Sequence, residues 1–461
     1  MFESRSCNWN LRLFNCLQNS QGISLAVVKN GNIFAKGFGF EDIENKIRAS
    51  NSTIFCLGSV TKSMTAMLLA RMISDGKHRK LHYLPTLLDF RDTFFYNNLV
   101  YVLAGHVAEK LTNKTWEMLM KEEFFVPLNM TSTVFIGDNN NPTIAVPYVL
   151  DDNGKLNISD SRLYRLHPFG PSGSVCASGN DMTKWLLLIT SAGRTQYVQL
   201  INKNVMKGQF RATSTLNDLW MSAYSLQPSF PASFESYGYG FGWFTSFYRG
   251  NKLLHHSGSL YGYSCIIAYL PDSDIAFTFL TNGPGEEKFH ESMDPVFFYV
   301  LDTVLGYSPW LNETTVCSYP SPWKDHRLNK SSENKTPVMD NHSTENNNYC
   351  GCYKHPLYGT VNVKEMNGSM HLSYGLILTG TLKPTNNAFT LDIDLPLRSV
   401  FLSNIIVSFE NMSQENKYTT LQLMSMFEKY RFTRVGKNLN RGTMFSCHPA
   451  IIFLAFVYTL I

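Results

Sequence analysis

Apolar and polar positions divide the chain into stretches of different period. Over 23–39 two apolar runs flank Asn30-Gly31, the pattern of a two-residue β-hairpin. The run 64–73 is rich in good helix formers and predicts a helix that starts near Ser59 and ends near Asp75-Gly76. Leu99, Val102, Leu103, His106, Val107 and Leu111 recur at helical spacing, so 96–111 reads as a helix. A second helix over 116–124 ends before Pro127. Gly170, Pro171, Gly173 and Gly179 mark 167–179 as a bend, and a helix over 181–189 stops near Gly193.

The period changes again over 237–282. Residues 237–243, 253–255, 263–270 and 275–280 read as short strands, with Pro271-Asp272-Ser273-Asp274 as a turn. Strands at both ends of a helical middle predict an α+β domain built on one antiparallel sheet. Residues 321–348 are rich in Ser, Asn, Lys and Pro and read as an exposed linker. Beyond them 349–432 is strand-like again, with Asn367-Gly368 as a second hairpin signal. The expected organisation is a main domain over 1–310, a polar linker over 311–348, a small β domain over 349–435 and a tail over 436–461.

Candidate chemistry centres on Gly58-Ser59-Val60-Thr61-Lys62. In a helix that begins near Ser59, Ser59 and Lys62 lie one turn apart on one face. The hydroxyl would sit where unpaired N–H groups carry partial positive charge, which suits a nucleophile that develops negative charge. The plainer alternative is a capped helix with a solvated lysine. Ser321-Pro-Trp-Lys324 and Ser332-Glu-Asn-Lys335 repeat the same spacing in the polar stretch, so the pair alone decides nothing.

Two further motifs supply partners. Tyr96-Asn97-Asn98 stands at a helix start, where a tyrosine near a lysine loses its proton more readily and Asn98 can donate to a substrate. An aromatic staple with an Asn cap is the competing reading. His256-Ser257-Gly258 closes a predicted strand; the glycine admits a substrate close to the backbone. The N–H groups of Ser259 and Ser59 could then form an oxyanion hole. A structural hydrogen-bonding histidine is the alternative there.

Together, Gly-Ser-Val-Thr-Lys (58–62), Tyr-Asn-Asn (96–98), Gly-Tyr-Gly-Phe-Gly-Trp (238–243) and His-Ser-Gly (256–258) make the stretch from about Gly22 to about Gly283 recognisable. It resembles the serine β-lactamase/penicillin-binding-protein superfamily, in its class C β-lactamase-like and esterase-like branch, and metazoan β-lactamase-related proteins in particular. The resemblance implies a β-lactamase/transpeptidase-like fold with a small β domain appended. It implies that Ser59 forms an acyl-enzyme on an ester, amide or peptide substrate, with Lys62 and Tyr96 sharing the proton shuttling. Asn98 would bind the acyl side, His256 would tune Tyr96 or bind substrate, and no metal or cofactor is required. Ser59 and Tyr96 stand closer in sequence than the family spaces them, so the helical lobe reads as shortened around 75–90. A catalytically silent binding protein on the same fold is the alternative that this shortening raises.

Composition narrows the setting. With 44% apolar and 16% charged residues over 461 positions, a packed core is expected and global disorder is not. The net charge of +4 and the lack of a long Lys/Arg run give no sign of nucleic-acid binding. Nine cysteines show no zinc-like spacing and leave the redox compartment open. Asn51, Asn113, Asn129, Asn157, Asn312, Asn329, Asn334, Asn341, Asn367 and Asn411 each open a glycosylation triplet, which leans towards the secretory pathway. Residues 1–25 lack the apolar core of a signal peptide. The apolar stretch over 445–461, broken by His448 and Pro449, fits either membrane attachment or a buried terminal segment.

Overall fold

The computed structural model describes residues 21–74, 94, 96–137, 144–150, 154–216, 231–283, 289–312, 315–319, 346–355, 359–374, 378–385, 388–394, 405–424 and 429–435. The stretch expected to be shortened (75–90), most of the linker and the tail over 436–461 lie outside them. The chain divides into two compact units, one of Met1–Ile158 with Phe169–Leu328, the other of Ser159–Pro168 with Asn329–Ile461.

The first unit is built on an antiparallel sheet. Its strands are β1 (Ile23–Lys29), β2 (Asn32–Phe38), β6 (Ser214–Thr215), β7 (Phe234–Gly240), β8 (Trp243–Tyr248), β9 (Asn251–Leu260), β10 (Tyr263–Leu270) and β11 (Ile275–Thr281). Their spatial order is β6-β7-β8-β9-β10-β11-β1-β2, so the first and last strands of the sheet in sequence are neighbours where β1 pairs with β11. The β1–β2 hairpin turns at Asn30-Gly31, both left-handed, as its sequence predicts. The continuous apolar run of β1 reflects burial on both faces. Ile23, Leu25 and Val27 belong to the core that helix α5 (Phe289–Leu305) shares through Val296, Phe297 and Leu301. The alternate residue Ser24 turns the other way, against the start of helix α4 (Gly179–Thr190).

The helical part contains α1 (Thr61–Ser74), α2 (Asn98–Thr112) and α3 (Trp116–Met120), which runs into a π-helical turn, Lys121–Phe125. Asn97 caps α2 by accepting from the Leu99 N–H at 2.7 Å, and Asn113 closes it in the left-handed conformation. A small sheet joins this part to the nucleophile region: β3 (Ile54–Cys56), β4 (Val134–Phe135) and β5 (Val175–Ser178), in the order β3-β5-β4. The bend expected over 167–179 therefore needs correction. It holds a helical turn, Gly170–Gly173, and then a fully buried strand. The expected strand at 253–255 is also longer, so His256, Ser257 and Gly258 lie inside β9 rather than at its close.

The second unit carries a closed eight-stranded barrel, β12 (Gly351–His355), β13 (Gly359–Met366), β14 (Ser369–Tyr374), β15 (Leu378–Pro384), β16 (Phe389–Ile393), β17 (Ile405–Met412), β18 (Tyr418–Met424) and β19 (Lys429–Arg434). Antiparallel pairing of β12 with β19, Tyr353 opposite Arg434, closes it. Closure removes the free edges that a small open sheet would expose.

Candidate active site

Ser59 sits in a 3-10 turn, Gly58–Val60, that leads directly into α1. Two close backbone approaches set this turn. Gly58 adopts φ +50°, and a side chain on it would fall 2.5 Å from the Ser259 carbonyl oxygen. Gly258 faces the turn from β9, where an added Cβ would lie 2.0 Å from the Leu57 carbonyl oxygen and 3.0 Å from the Ser59 and Val60 nitrogens. Only glycine fits at either place. Behind the turn, β3 and β5 pair Cys56 with Cys176, and the two are joined by a disulfide. The Leu57 N–H donates to the Val175 carbonyl at 2.8 Å, and the Cys265 thiol donates to the Leu57 carbonyl.

Lys62 lies one turn beyond Ser59 and is fully buried. Its Nζ stands 2.8 Å from Ser59 Oγ and donates to the Ser172 carbonyl at 3.0 Å. Burial drives its pKa well below the usual lysine range. Burial thus favours the free amine, whose lone pair would lie within hydrogen-bond reach of the serine hydroxyl. The same nitrogen is 5.0 Å from the Tyr96 ring centroid and 5.7 Å from that of Tyr101.

Tyr96 precedes α2 and packs edge-on against Tyr239 at 6.0 Å, with the His256 ring 5.9 Å away. Asn98, the first residue of α2, is buried. Thus Ser59, Lys62, Tyr96 and His256 are gathered through Lys62 and the aromatic cluster, while Gly258 and Ser259 pack onto the turn that carries Ser59. Register orients Ser259. Tyr261-Gly262 form a two-residue turn between β9 and β10, so Leu260 and Tyr263 are the hydrogen-bonded pair beside it. Ser259 is one place out and points its N–H away from β10, towards the edge that β8 leaves uncovered beyond His255.

His256 is buried, and burial, with the nearby Lys62 charge next, lowers its pKa to about 3. Its Nε2 is 3.1 Å from Tyr239 Oη, which in turn is 3.1 Å from Tyr101 Oη. Tyr239 lies inside the quoted Gly-Tyr-Gly-Phe-Gly-Trp motif, but Tyr101 carried no signal of its own. The Ser172 carbonyl and the Cys56–Cys176 bond were likewise not anticipated, since neither a backbone acceptor nor a cysteine pairing is visible in spacing.

Known proteins resemble this chain in sequence and in fold. The beta-lactamase family model matches residues 12–92 and 78–298. Protein flp of Staphylococcus aureus (strain MRSA252) is 23% identical over 322 residues, 57% of this chain and 59% of the relative. Unguisins hydrolase ungD' of Aspergillus campestris is 20% identical over 374 residues, 62% of this chain and 63% of the relative. The chain thus spans less than two thirds of the length of these relatives. Among solved structures, the octameric penicillin-binding protein homologue from Pyrococcus abyssi superimposes with a TM-score of 0.53 at 19% identity, covering 92% of this chain and 97% of its own. The D-amino acid amidase from Ochrobactrum anthropi SV3 gives 0.50 at 20% identity, covering 64% and 99%. These likenesses are of fold, and they extend the β-lactamase/transpeptidase-like architecture to this sheet and its helices. On the extent of the family match, the chain belongs to the beta-lactamase family.

Proposed function

We propose that the protein is a serine hydrolase that cleaves an ester, amide or peptide bond through an acyl-enzyme on Ser59. The observation that carries this reading is the 2.8 Å approach of a buried, pKa-depressed Lys62 amine to Ser59 Oγ. As Oγ bonds to the substrate carbonyl carbon, the hydroxyl proton passes to Lys62 and the carbonyl electron pair moves onto oxygen. The Ser59 and Ser259 N–H groups hold that oxyanion. Collapse of the adduct breaks the bond to the leaving group, which takes the proton, and Tyr96 shares in that transfer. Water then adds to the acyl carbon by the same route and frees Ser59. Asn98 binds the acyl side, and His256 and Gly258 form the strand wall of the site.

The motif set supports a place in the class C-like, esterase-like branch and among metazoan relatives. The names of two similar proteins, a hydrolase and an amidase, support a small-molecule or peptide substrate. A buried disulfide and exposed sequon asparagines at 113, 129, 157, 312, 367 and 411 support passage through the secretory pathway. Membrane attachment through 445–461 belongs to the same proposal. Among the described residues no helix is long and apolar enough to cross a membrane. The test is labelling of the full chain with a neutral fluorophosphonate. Labelling that disappears in Ser59→Ala supports the reading; a folded chain that takes no label overturns it in favour of a binding protein.

A further inference from the structure

Three side chains from three elements form one hydrogen-bonded line: Tyr101 on α2, Tyr239 on β7 and His256 on β9. The direction of each bond follows from what each atom can do. His256 Nδ1 faces the carbonyl oxygen of Ser257, which can only accept, so Nδ1 carries a proton. Nε2 of the neutral ring then accepts from the Tyr239 O–H, and with that one proton engaged the Tyr239 oxygen accepts from the Tyr101 O–H. The reverse order would require Nε2 to carry a proton as well, making an imidazolium. That cation would be buried beside Lys62.

We propose that Tyr239, ordered by Tyr101, is a positioning residue that holds His256 as the neutral Nδ1–H tautomer. His256 then meets substrate as an uncharged ring with both nitrogens engaged, and it exchanges no proton during turnover. This deepens the serine-hydrolase reading and rests on it for the part His256 plays in the reaction; the bond order itself does not. Burial acts in the same sense, and the groups that face His256 are Lys62 from α1, Tyr96 ahead of α2, Tyr239 from β7, Phe244 from β8 and its neighbour His255. His255 is also buried with its pKa lowered to about 3, and it bonds Ser246, so it supplies no charge to this line at neutral pH.

Tyr239→Phe keeps the ring that packs on Phe94 at 5.0 Å and on Phe244 at 4.8 Å, but removes the donor to Nε2. Losing a bond to the neutral imidazole must raise its pKa, by about one unit for one ordinary hydrogen bond. Two readouts on the full chain separate the possibilities. Nitrogen NMR of 15N-histidine-labelled protein, with the His256 signals identified by their loss in His256→Gln, should show Nδ1–H throughout pH 5–8 in the wild type. With the titration carried below pH 5, towards the wild-type midpoint of about 3, the midpoint in Tyr239→Phe should move upward, and Tyr101→Phe should move it less in the same direction. The fluorophosphonate labelling rate should gain a matching inflection in Tyr239→Phe. If that variant fails to melt cooperatively, Tyr101→Phe carries the same measurement. A wild-type His256 that titrates within pH 5–8, that holds its proton on Nε2, or whose midpoint is unmoved in the variants overturns the proposal. Absence of labelling in every variant overturns the hydrolase reading alone, because the tautomer is read without turnover.

Discussion

The two walls around Ser59 are made differently. On the β9 side the contact is backbone against backbone: Gly258 backs onto the Leu57 carbonyl and Gly58 onto Ser259. Nearly all of β9 from Leu253 to Leu260 is buried, and its hairpin with β10 fixes its register. On the α2 side the contact is made through side chains, with Tyr96 and Tyr101 reaching Lys62 by their ring faces. The buried residues of α2 are few, Asn98, Gly105 and Ala108, while Leu99, Val100 and Leu103 are exposed. Position of the nucleophile is therefore set by main-chain geometry, which a substitution can only break. Its activation is set by side chains and burial, which substitutions can tune.

The largest effect should come where the two walls meet. Lys62→Met should lower the second-order rate of Ser59 acylation by about 10²–10⁴-fold, the usual contribution of a general base. The wild-type rate should rise with pH through the depressed Lys62 pKa, because only the free amine accepts the proton. The stability sign is the same. Between that pKa and 10.5 the unfolded chain binds the extra proton, so stability attributable to Lys62 increases with pH and is lost on acidification. Lys62→Met should flatten that slope in urea melts run at several pH values, and an unchanged slope would separate Lys62 from the pH response.

Next comes the cross-link behind the rigid wall. It closes a loop of 120 residues, so Cys56→Ser with Cys176→Ser should cost about 4–5 kcal/mol in the chain-entropy account, read from denaturant midpoints. If the main-chain wall is stiff by itself, the acylation rate of the molecules still folded should stay within a few fold of wild type. Smaller again is Gly258→Ala. The new methyl meets a carbonyl and two amide nitrogens of the nucleophile turn, and a displacement of about 1 Å there should cost about a hundredfold in acylation rate. Smallest is Gly105→Ala on the tunable wall. Its methyl meets the Pro171 ring at 2.3 Å rather than main chain, and alanine favours the helix by about 1 kcal/mol. It should change the rate by less than Gly258→Ala does, and equal losses would remove the distinction between the walls.

What was legible follows the same division. The Asn30-Gly31 hairpin, the α1 and α2 helices and the three motifs are local patterns, and they could be read from neighbouring residues. Asn98 and His256 were placed among candidates by type and position. Tyr101 was not, because its links to the site, a hydroxyl reaching Tyr239 across 138 positions and a ring beside Lys62, leave no local pattern. Strand β5 was hidden in a stretch of glycines and serines that reads as loop. Helix α5 holds Pro295 within it, a residue that ordinarily marks a helix boundary. The strands beyond residue 349 were visible, but their closure depends on Tyr353 meeting Arg434, a pairing that no local period encodes.

The glycine contact from β9 has one more consequence, which concerns synthesis. Ser59 and Lys62 leave the ribosome early, yet Ser172, Val175 and Gly258, which complete their surroundings, follow 110 to 199 positions later. A nascent chain or proteolytic remnant that stops before Leu260 carries the reactive pair without the groove that arms it. Fragments that end before that point should therefore be chemically inert.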